Sequence, residues 1–440
     1  MSPEYLALIM VVGLIAGILL GFPVAFLMGS LALLCGYLGA GESVFRLLPN
    51  SVFGVMRDFT LTPIPLFLFM GAILATSGIA EKLYASLHLL MGPIRGGLAL
   101  ATQIIATIFA ACMGVVGPSV IAAGNFALPS MLKRGYSKEM ATGTIMAGGT
   151  LAAVIPPAIL LILYGEQAGI SVATLFTAAL VPGLVISALC LAYIGIRCRL
   201  QPHLGPALPP DERKTPAAQA WRMVATSLLP TVVVVVAVLS TMALGIASPT
   251  EAGAVGSVGA LVVVALAGRL NLPTLKKALY MSLRSTAMIL FLVAGATLFT
   301  AVFIKLGGGQ AIQNLILGIA SGVQSTLLTV VIMVLAIIIM GTIMDCIATM
   351  LILTPLYMPI VAALGLNPIW FGVLFSTALA MGHLTPPFAY SIFYLKTVAE
   401  GVTTAHLYRG SIPFIFLYIL GLVLIYAYPQ LSLWLPNLGR

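Results

Sequence analysis

Ala147-Gly148-Gly149-Thr150-Leu151-Ala152-Ala153-Val154-Ile155-Pro156-Pro157 lies inside an apolar run long enough to cross a bilayer, and it ends on two consecutive prolines. One proline kinks a helix, whereas a Pro-Pro pair removes two amide donors and breaks it. The layout returns 230 residues later: Pro129 … Pro156-Pro157 is matched by Pro359 … Pro386-Pro387, with the same 27-residue gap. Broken helices at matching places in two halves of a hydrophobic chain point to a transporter's binding site.

Composition sets the class around this repeat. Of the 440 residues, 61% are hydrophobic and 7% charged, against roughly 25% charged in soluble domains; mean hydropathy is +1.16. The bulk of the chain is therefore expected in a lipid bilayer. The first apolar run has no cleavage pattern and reads as a retained helix, not a signal peptide. The net charge of +9 is scattered at the ends of apolar runs, which suits topology determinants and gives no nucleic-acid surface. Five cysteines (Cys35, Cys112, Cys190, Cys198, Cys346) show no CxxC or CxxH spacing. They read as small buried hydrophobes.

Candidate crossings fall at roughly 5–20, 23–40, 61–80, 139–165, 172–198, 223–243, 251–267, 284–305, 368–395 and 406–428, given about 20 residues per span. Two further stretches, about 97–133 and about 325–363, are too long for one crossing and have glycine near the centre: Gly114 and Gly117-Pro118 in one, Gly341 in the other. Each is either two full crossings or a re-entrant hairpin, and both options preserve parity. With the N-terminus outside, 16 of the 20 basic residues fall inside; the positive-inside rule selects that orientation.

The polar linker 199–222, with Asp211-Glu212-Arg213-Lys214, then lies in the cytoplasm and separates 1–198 from 223–440. Each half has five crossings and one hairpin, an odd number, so the halves are expected to be inverted repeats. A second offset, of about 224, places Gly21 on Gly245 and Gly71 on Gly295. Residues 81–94 and 270–284 look amphipathic and are expected to lie along the inner interface. Tyr426, Tyr428 and Trp434 suit an interfacial belt.

The breaks carry the chemistry. Pro156-Pro157 frees the carbonyls near Ala152 and Ala153, hard ligands for a sodium ion, and the half-helix start beyond it favours an anion. Gly149-Thr150 lies just upstream, and the facing hairpin holds Gly117-Pro118-Ser119 and Asn125. In the second half His383-Leu384-Thr385-Pro386-Pro387 faces Gly341, Asp345, Thr349 and Thr354. Hydroxyls and bare carbonyls suit a monovalent ion better than calcium or magnesium, which want several carboxylates. Asp345 alone among eleven acidic residues lies deep in an apolar run; it is either a functional carboxylate or a helix cap. His383 is either titratable or a hydrogen-bonded structural residue. Glu166 and Glu251 sit at helix ends and read as caps or anchors. An anion is expected at the hairpin–break junctions, on Ser119, Asn125, Pro157, Asp345, His383 and Pro387. No GxxxxGK[ST] loop, HExxH or Asp-rich diphosphate site occurs, so ATP hydrolysis and metalloenzyme chemistry have no signature.

With Met131-Leu132-Lys133-Arg134-Gly135-Tyr136, Leu163-Tyr164-Gly165, Ser248-Pro249-Thr250-Glu251-Ala252, Trp370-Phe371-Gly372-Val373 and Leu384-Thr385-Pro386-Pro387-Phe388, the chain resembles the large membrane subunit of tripartite ATP-independent periplasmic (TRAP) transporters. Gly114-Val115-Val116-Gly117-Pro118-Ser119 and Tyr408-Arg409-Gly410 look like the branch labelled mannitol/chloroaromatic. The resemblance implies an all-α ion-transporter-superfamily fold with an elevator mechanism, in a bacterial inner membrane, and Na+ as coupling ion. It implies three partners: a small four-helix membrane subunit, a periplasmic substrate-binding protein, and an organic acid anion as cargo. Carried over, the sodium sites are Gly117, Ser119, Gly149 and Thr150 in one half and Asp345, Thr349 and Thr385 in the other, to which the residue reading adds Gly341. The chain departs from the branch at Ala378-Leu379-Ala380-Met381-Gly382-His383, where relatives carry polar residues. A stand-alone sodium/dicarboxylate symporter, a membrane-embedded enzyme and a scaffold subunit are the alternatives.

Overall fold

A computed structural model describes residues 3–208, 217–311 and 326–438. Every regular element among them is helical, and eight helices are long and apolar enough to cross a membrane. In chain order they are α1 Pro3–Leu19, α2 Val24–Ala40, α3 Leu47–Arg57, α4 Pro63–Thr76, α5 Ile79–Met91, α6 Gly97–Met113, α7 Val116–Lys133, α8 Lys138–Thr150, α9 Ile159–Ala168 and α10 Val172–Leu200. Then follow α11 Ala217–Ala243, α12 Pro249–Leu266, α13 Leu272–Lys305, α14 Thr326–Ile343, α15 Cys346–Ala363, α16 Pro368–Gly382, α17 Tyr390–Lys396, α18 Thr404–Ala427 and α19 Gln430–Leu438.

Local chemistry fixes the boundaries. Ser137 accepts from the Met140 amide to open α8, and Asn271 from that of Thr274 to open α13. Ser248 and Glu251 close a capping box at the start of α12, with Glu251 Oε2 accepting from the Ser248 amide at 2.7 Å; this satisfies otherwise orphaned donors. Glu251 is thus a cap, as its position suggests. Glu166 is not: it lies near the end of α9, where the Gln167 side chain donates to it.

Both overlong stretches fold as helical hairpins. One is α6–α7 with its tip at Gly114-Val115, the other α14–α15 with its tip at Met344-Asp345. Both predicted helix breaks are present as well: α8 gives way to a short 3-10 turn over Leu151–Ala153 before α9, and α16 stops at Gly382 before α17. Both Pro-Pro bonds are cis.

The amphipathic segment 270–284 departs from expectation. It forms no separate interfacial helix but the first part of the continuous 34-residue α13. After Pro273 that stretch contains no proline and no glycine until Gly295, so nothing interrupts it. At the 224-residue offset its counterpart is α3 together with α4, where Asp58 and Pro63 do interrupt the helix. Residues 81–94, mostly α5, have their counterpart at 305–318, half of which lies outside the described residues. The same offset pairs Gly21 and Gly245, both at positive φ (+85° and +68°) in turns between helices.

The helices pack in two groups. Helices α1 to α5 with α11, α12 and α13 form one, built on the α4–α12, α4–α13 and α2–α13 contacts. The second comprises both hairpins, both broken helices, α10, α18 and α19. Within it the halves exchange partners: α7 packs on α17 and α15 packs on α9. Each outgoing hairpin arm therefore lies on the other half's half-helix. Large apolar side chains such as Leu8, Phe26, Val262, Leu283 and Phe416 stay exposed, a surface suited to lipid and not to water.

Candidate functional site

At the first break the helix ends for want of donors. The carbonyls of Ala152 and Ala153 would each accept from the amide four residues on, but those residues are Pro156 and Pro157. Ile155 donates instead to Leu151 at 2.8 Å. Residues 151–163 are all buried, so two carbonyls stand bare in the interior. Such groups are costly unless a partner supplies the missing charge. The hairpin tip meets this break directly: Ile159 donates its amide to Gly114 O at 3.2 Å.

The second break differs. His383 O, freed by Pro387, accepts from both the amide and the hydroxyl of Ser391, at 3.2 and 2.6 Å. Gly382 O accepts from the Thr385 amide at 3.1 Å. At the position of Ser391 the first half has Leu161, which has no hydroxyl. Pro386, Pro387 and Phe388 are exposed, whereas Pro156 and Pro157 are buried. Pro387 O accepts from Tyr408 at 2.7 Å. The two breaks share a sequence layout but not an environment.

The hairpin arms show the closest equivalence. Ser119 Oγ donates to Val115 O at 2.9 Å, and Thr349 Oγ1 donates to Asp345 O at 3.0 Å. Both pairs are related by the 230-residue offset, and both hydroxyls keep lone pairs for a cation. Asp345 caps α15 through the Ile347 amide at 3.0 Å, so the capping role is realised at a carboxylate that remains partly accessible.

Other predicted residues take distinct places. Gly117 lies against the Tyr394 ring: a Cβ there would be 2.9 Å from Tyr394 Cζ. Gly149 abuts the α7 backbone at Val120, and Gly341 faces Gly382, positions where two backbones approach closely. Thr150 is turned away from the hairpin tip. Its hydroxyl donates to Ala147 O at 2.9 Å and lies 2.9 Å from Tyr418 Oη, which is 3.1 Å from the same carbonyl. Thr385 Oγ1 donates to Met381 O, and Thr354 contacts Met350 Sδ. Asn125 is exposed and faces a separate cleft of about 470 Å³, shared with Glu81, Lys277, Met113 and Pro118.

Sequence reasoning missed the aromatic bridge between the halves. His383 stacks on Tyr390 (ring centroids 5.4 Å), Tyr390 meets Tyr394 (6.3 Å), and Tyr394 reaches Gly117. It also missed Ser391 and Tyr418. Ser391 was findable, because it interrupts the apolar match to Leu161; Tyr418, far along the last long span, left no local signal.

Comparison with known proteins agrees with this architecture. Residues 11–431 match the family described as "Tripartite ATP-independent periplasmic transporter, DctM component". The chain is 31% identical to the C4-dicarboxylate TRAP transporter large permease protein DctM of Pseudomonas aeruginosa, over 89% of this chain and 90% of that one. It is 29% identical to the ectoine TRAP transporter large permease protein TeaC of Halomonas elongata, over 98% and 99%. It also matches the isethionate TRAP transporter permease protein DctMQ of Oleidesulfovibrio alaskensis at 29%, covering 92% of this chain but 61% of that longer protein. Among solved structures, the YdaH transporter of Alcanivorax borkumensis superposes with a TM-score of 0.64 at 15% identity, covering 98% of each chain. MtrF of Neisseria gonorrhoeae superposes with 0.61 at 12%, covering 97% and 95%. These last two likenesses bear on fold alone.

Proposed function

The chain belongs to the DctM family, the large permease component of tripartite ATP-independent periplasmic transporters, and on that premise we propose that it imports an organic acid anion, coupled to sodium, by an elevator motion. It is a multi-pass membrane transport protein, not an enzyme. The observation that carries the coupling is the first break. Two buried carbonyls without donors lie where the tip of a hairpin closes on a helix interruption, and a monovalent cation is the partner that such oxygens lack.

The elevator reading draws on the division into two packing groups. The group holding both hairpins and both breaks meets the other along α4, α5 and α13, with close-approach positions such as Gly71, where a Cβ would be 2.8 Å from Met113 Cα. Small residues at such a seam let the backbones of the two bodies approach closely. Inverted halves, a periplasmic N-terminus and a cytoplasmic 199–222 loop follow from the distribution of basic residues. An inner-membrane location is supported by the family match.

Relatives named for C4-dicarboxylate, ectoine and isethionate support a small organic acid as cargo. A periplasmic binding protein is proposed to deliver the anion, and a small four-helix membrane subunit to complete the permease. Reconstitution of all three components in proteoliposomes tests this. Uptake is expected only with an inward sodium gradient; uptake indifferent to sodium, or driven by a proton gradient alone, overturns the coupling.

A further inference from the structure

Beside Asp345, the second break holds two donors that sodium has no use for. A carboxylate oxygen of Asp345, Sγ of Cys346 and a ring nitrogen of His383 all lie within 4.8 Å of one another. His383 is 1% exposed, and neither ring nitrogen has a hydrogen-bond partner. A buried imidazole with no partner at either nitrogen is expensive and calls for an explanation. Its position is nonetheless fixed: Tyr390 stacks on the ring, and Ser391 anchors the backbone carbonyl through two bonds. The ring is held in place and aimed at the hairpin tip.

We propose that Asp345, Cys346 and His383 form a site for a soft divalent cation of the zinc class, with one coordination position left open. Zinc takes nitrogen, sulfur and carboxylate oxygen together, with bonds of about 2.0–2.3 Å, so neighbouring ligand atoms sit roughly 3.5 Å apart. Closing the present separations needs side-chain movements of about 1 Å, available by rotation about single bonds. Hard cations are excluded by the thiolate, since calcium and magnesium select oxygen. Sodium likewise has no affinity for sulfur or imidazole to exploit.

The placement gives the site a consequence. Asp345 and Cys346 belong to the tip of the second hairpin and His383 to the facing break, so a bound ion stitches one to the other. Pro386, Pro387 and Phe388, just beyond His383 in the chain, are exposed. Because Asp345 is also among the residues proposed for sodium, the divalent ion competes there and holds the tip closed. The binding site itself does not depend on the transport reading.

Cobalt(II) titration of the detergent-purified full-length chain, with no partner subunit and no substrate, tests the site by absorption spectroscopy. The wild type is expected to show a thiolate-to-cobalt charge-transfer band and visible bands of low coordination number, reaching one equivalent and bleached by zinc. Cys346→Ser should abolish the charge-transfer band, His383→Gln should weaken cobalt binding at least tenfold, and Cys112→Ser should leave both unchanged. Gel filtration confirms that each variant is folded. A folded wild type with no charge-transfer band overturns the proposal, and so does a band that survives in Cys346→Ser. If either variant fails to fold, the wild-type titration alone decides. Sodium-driven uptake is a separate measurement, so loss of either reading leaves the other standing.

Discussion

Ile159 donates its amide to the carbonyl of Gly114, 3.2 Å away, so the tip of the first hairpin caps the half-helix beyond the break. The geometry depends on glycine twice. Gly114 has φ +61°, and a Cβ there would lie 2.5 Å from Pro157 O. The left-handed backbone alone costs about 1–2 kcal/mol for another residue, and the backbone clash cannot be relieved by a rotamer change.

Gly114→Ala should therefore destabilise the protein well beyond Gly135→Ala. Gly135 has a similar φ (+75°) but open space around its Cβ position. Thermal unfolding in detergent compares the two. Equal shifts would mean that the Pro157 contact contributes nothing.

Thr150, Tyr418 and the Ala147 carbonyl form a triangle of oxygens that shares two hydroxyl protons. Tyr418→Phe and Thr150→Val should each cost about 1 kcal/mol, and the double variant should cost less than their sum. Strict additivity would show that the hydroxyls act separately.

Ser119 and Thr150 should separate in function. Ser119 sits on the hairpin arm with its hydroxyl bonded to Val115 O, whereas Thr150 is committed to Tyr418. Sodium titration of uptake is expected to show a several-fold higher half-saturating concentration for Ser119→Ala and Thr349→Val. Thr150→Val should act mainly on stability, and Thr385→Val should weaken sodium dependence less than Thr349→Val. A Thr150→Val effect on sodium as large as that of Ser119→Ala would return Thr150 to the ion site.

Ser391→Ala should expose the His383 carbonyl. Loss of its hydrogen bond is expected to cost about 1 kcal/mol without raising the half-saturating sodium concentration. A marked rise in that concentration would mean that Ser391 itself is a ligand.

The hairpins and both breaks were legible because proline and glycine act locally: Pro156-Pro157 stops a helix wherever it lies. The continuous α13 was not legible. Its polar first part, with Lys276, Lys277 and Arg284, has the pattern of an interfacial helix, and only the lack of an interruption decides the matter. The inequality of the two breaks was hinted at by Asp345 and His383, yet its cause, Ser391 against Leu161, depends on a side chain folding back eight residues. Cys346 looked like an ordinary buried cysteine, because its neighbour His383 is 37 residues away in sequence.

The exchange of partners between the halves, α7 on α17 and α15 on α9, bears on how such a molecule is made. The first hairpin meets its own break through Gly114 and Ile159, but its outer arm also packs on α17 of the second half, so a ribosome that has released only the first half has produced a hairpin with one of its supports missing. That support arrives with the second half, which the 199–222 connection joins to the first. Cutting the gene within that connection should yield two polypeptides that accumulate when made in the same cell and are degraded when made apart.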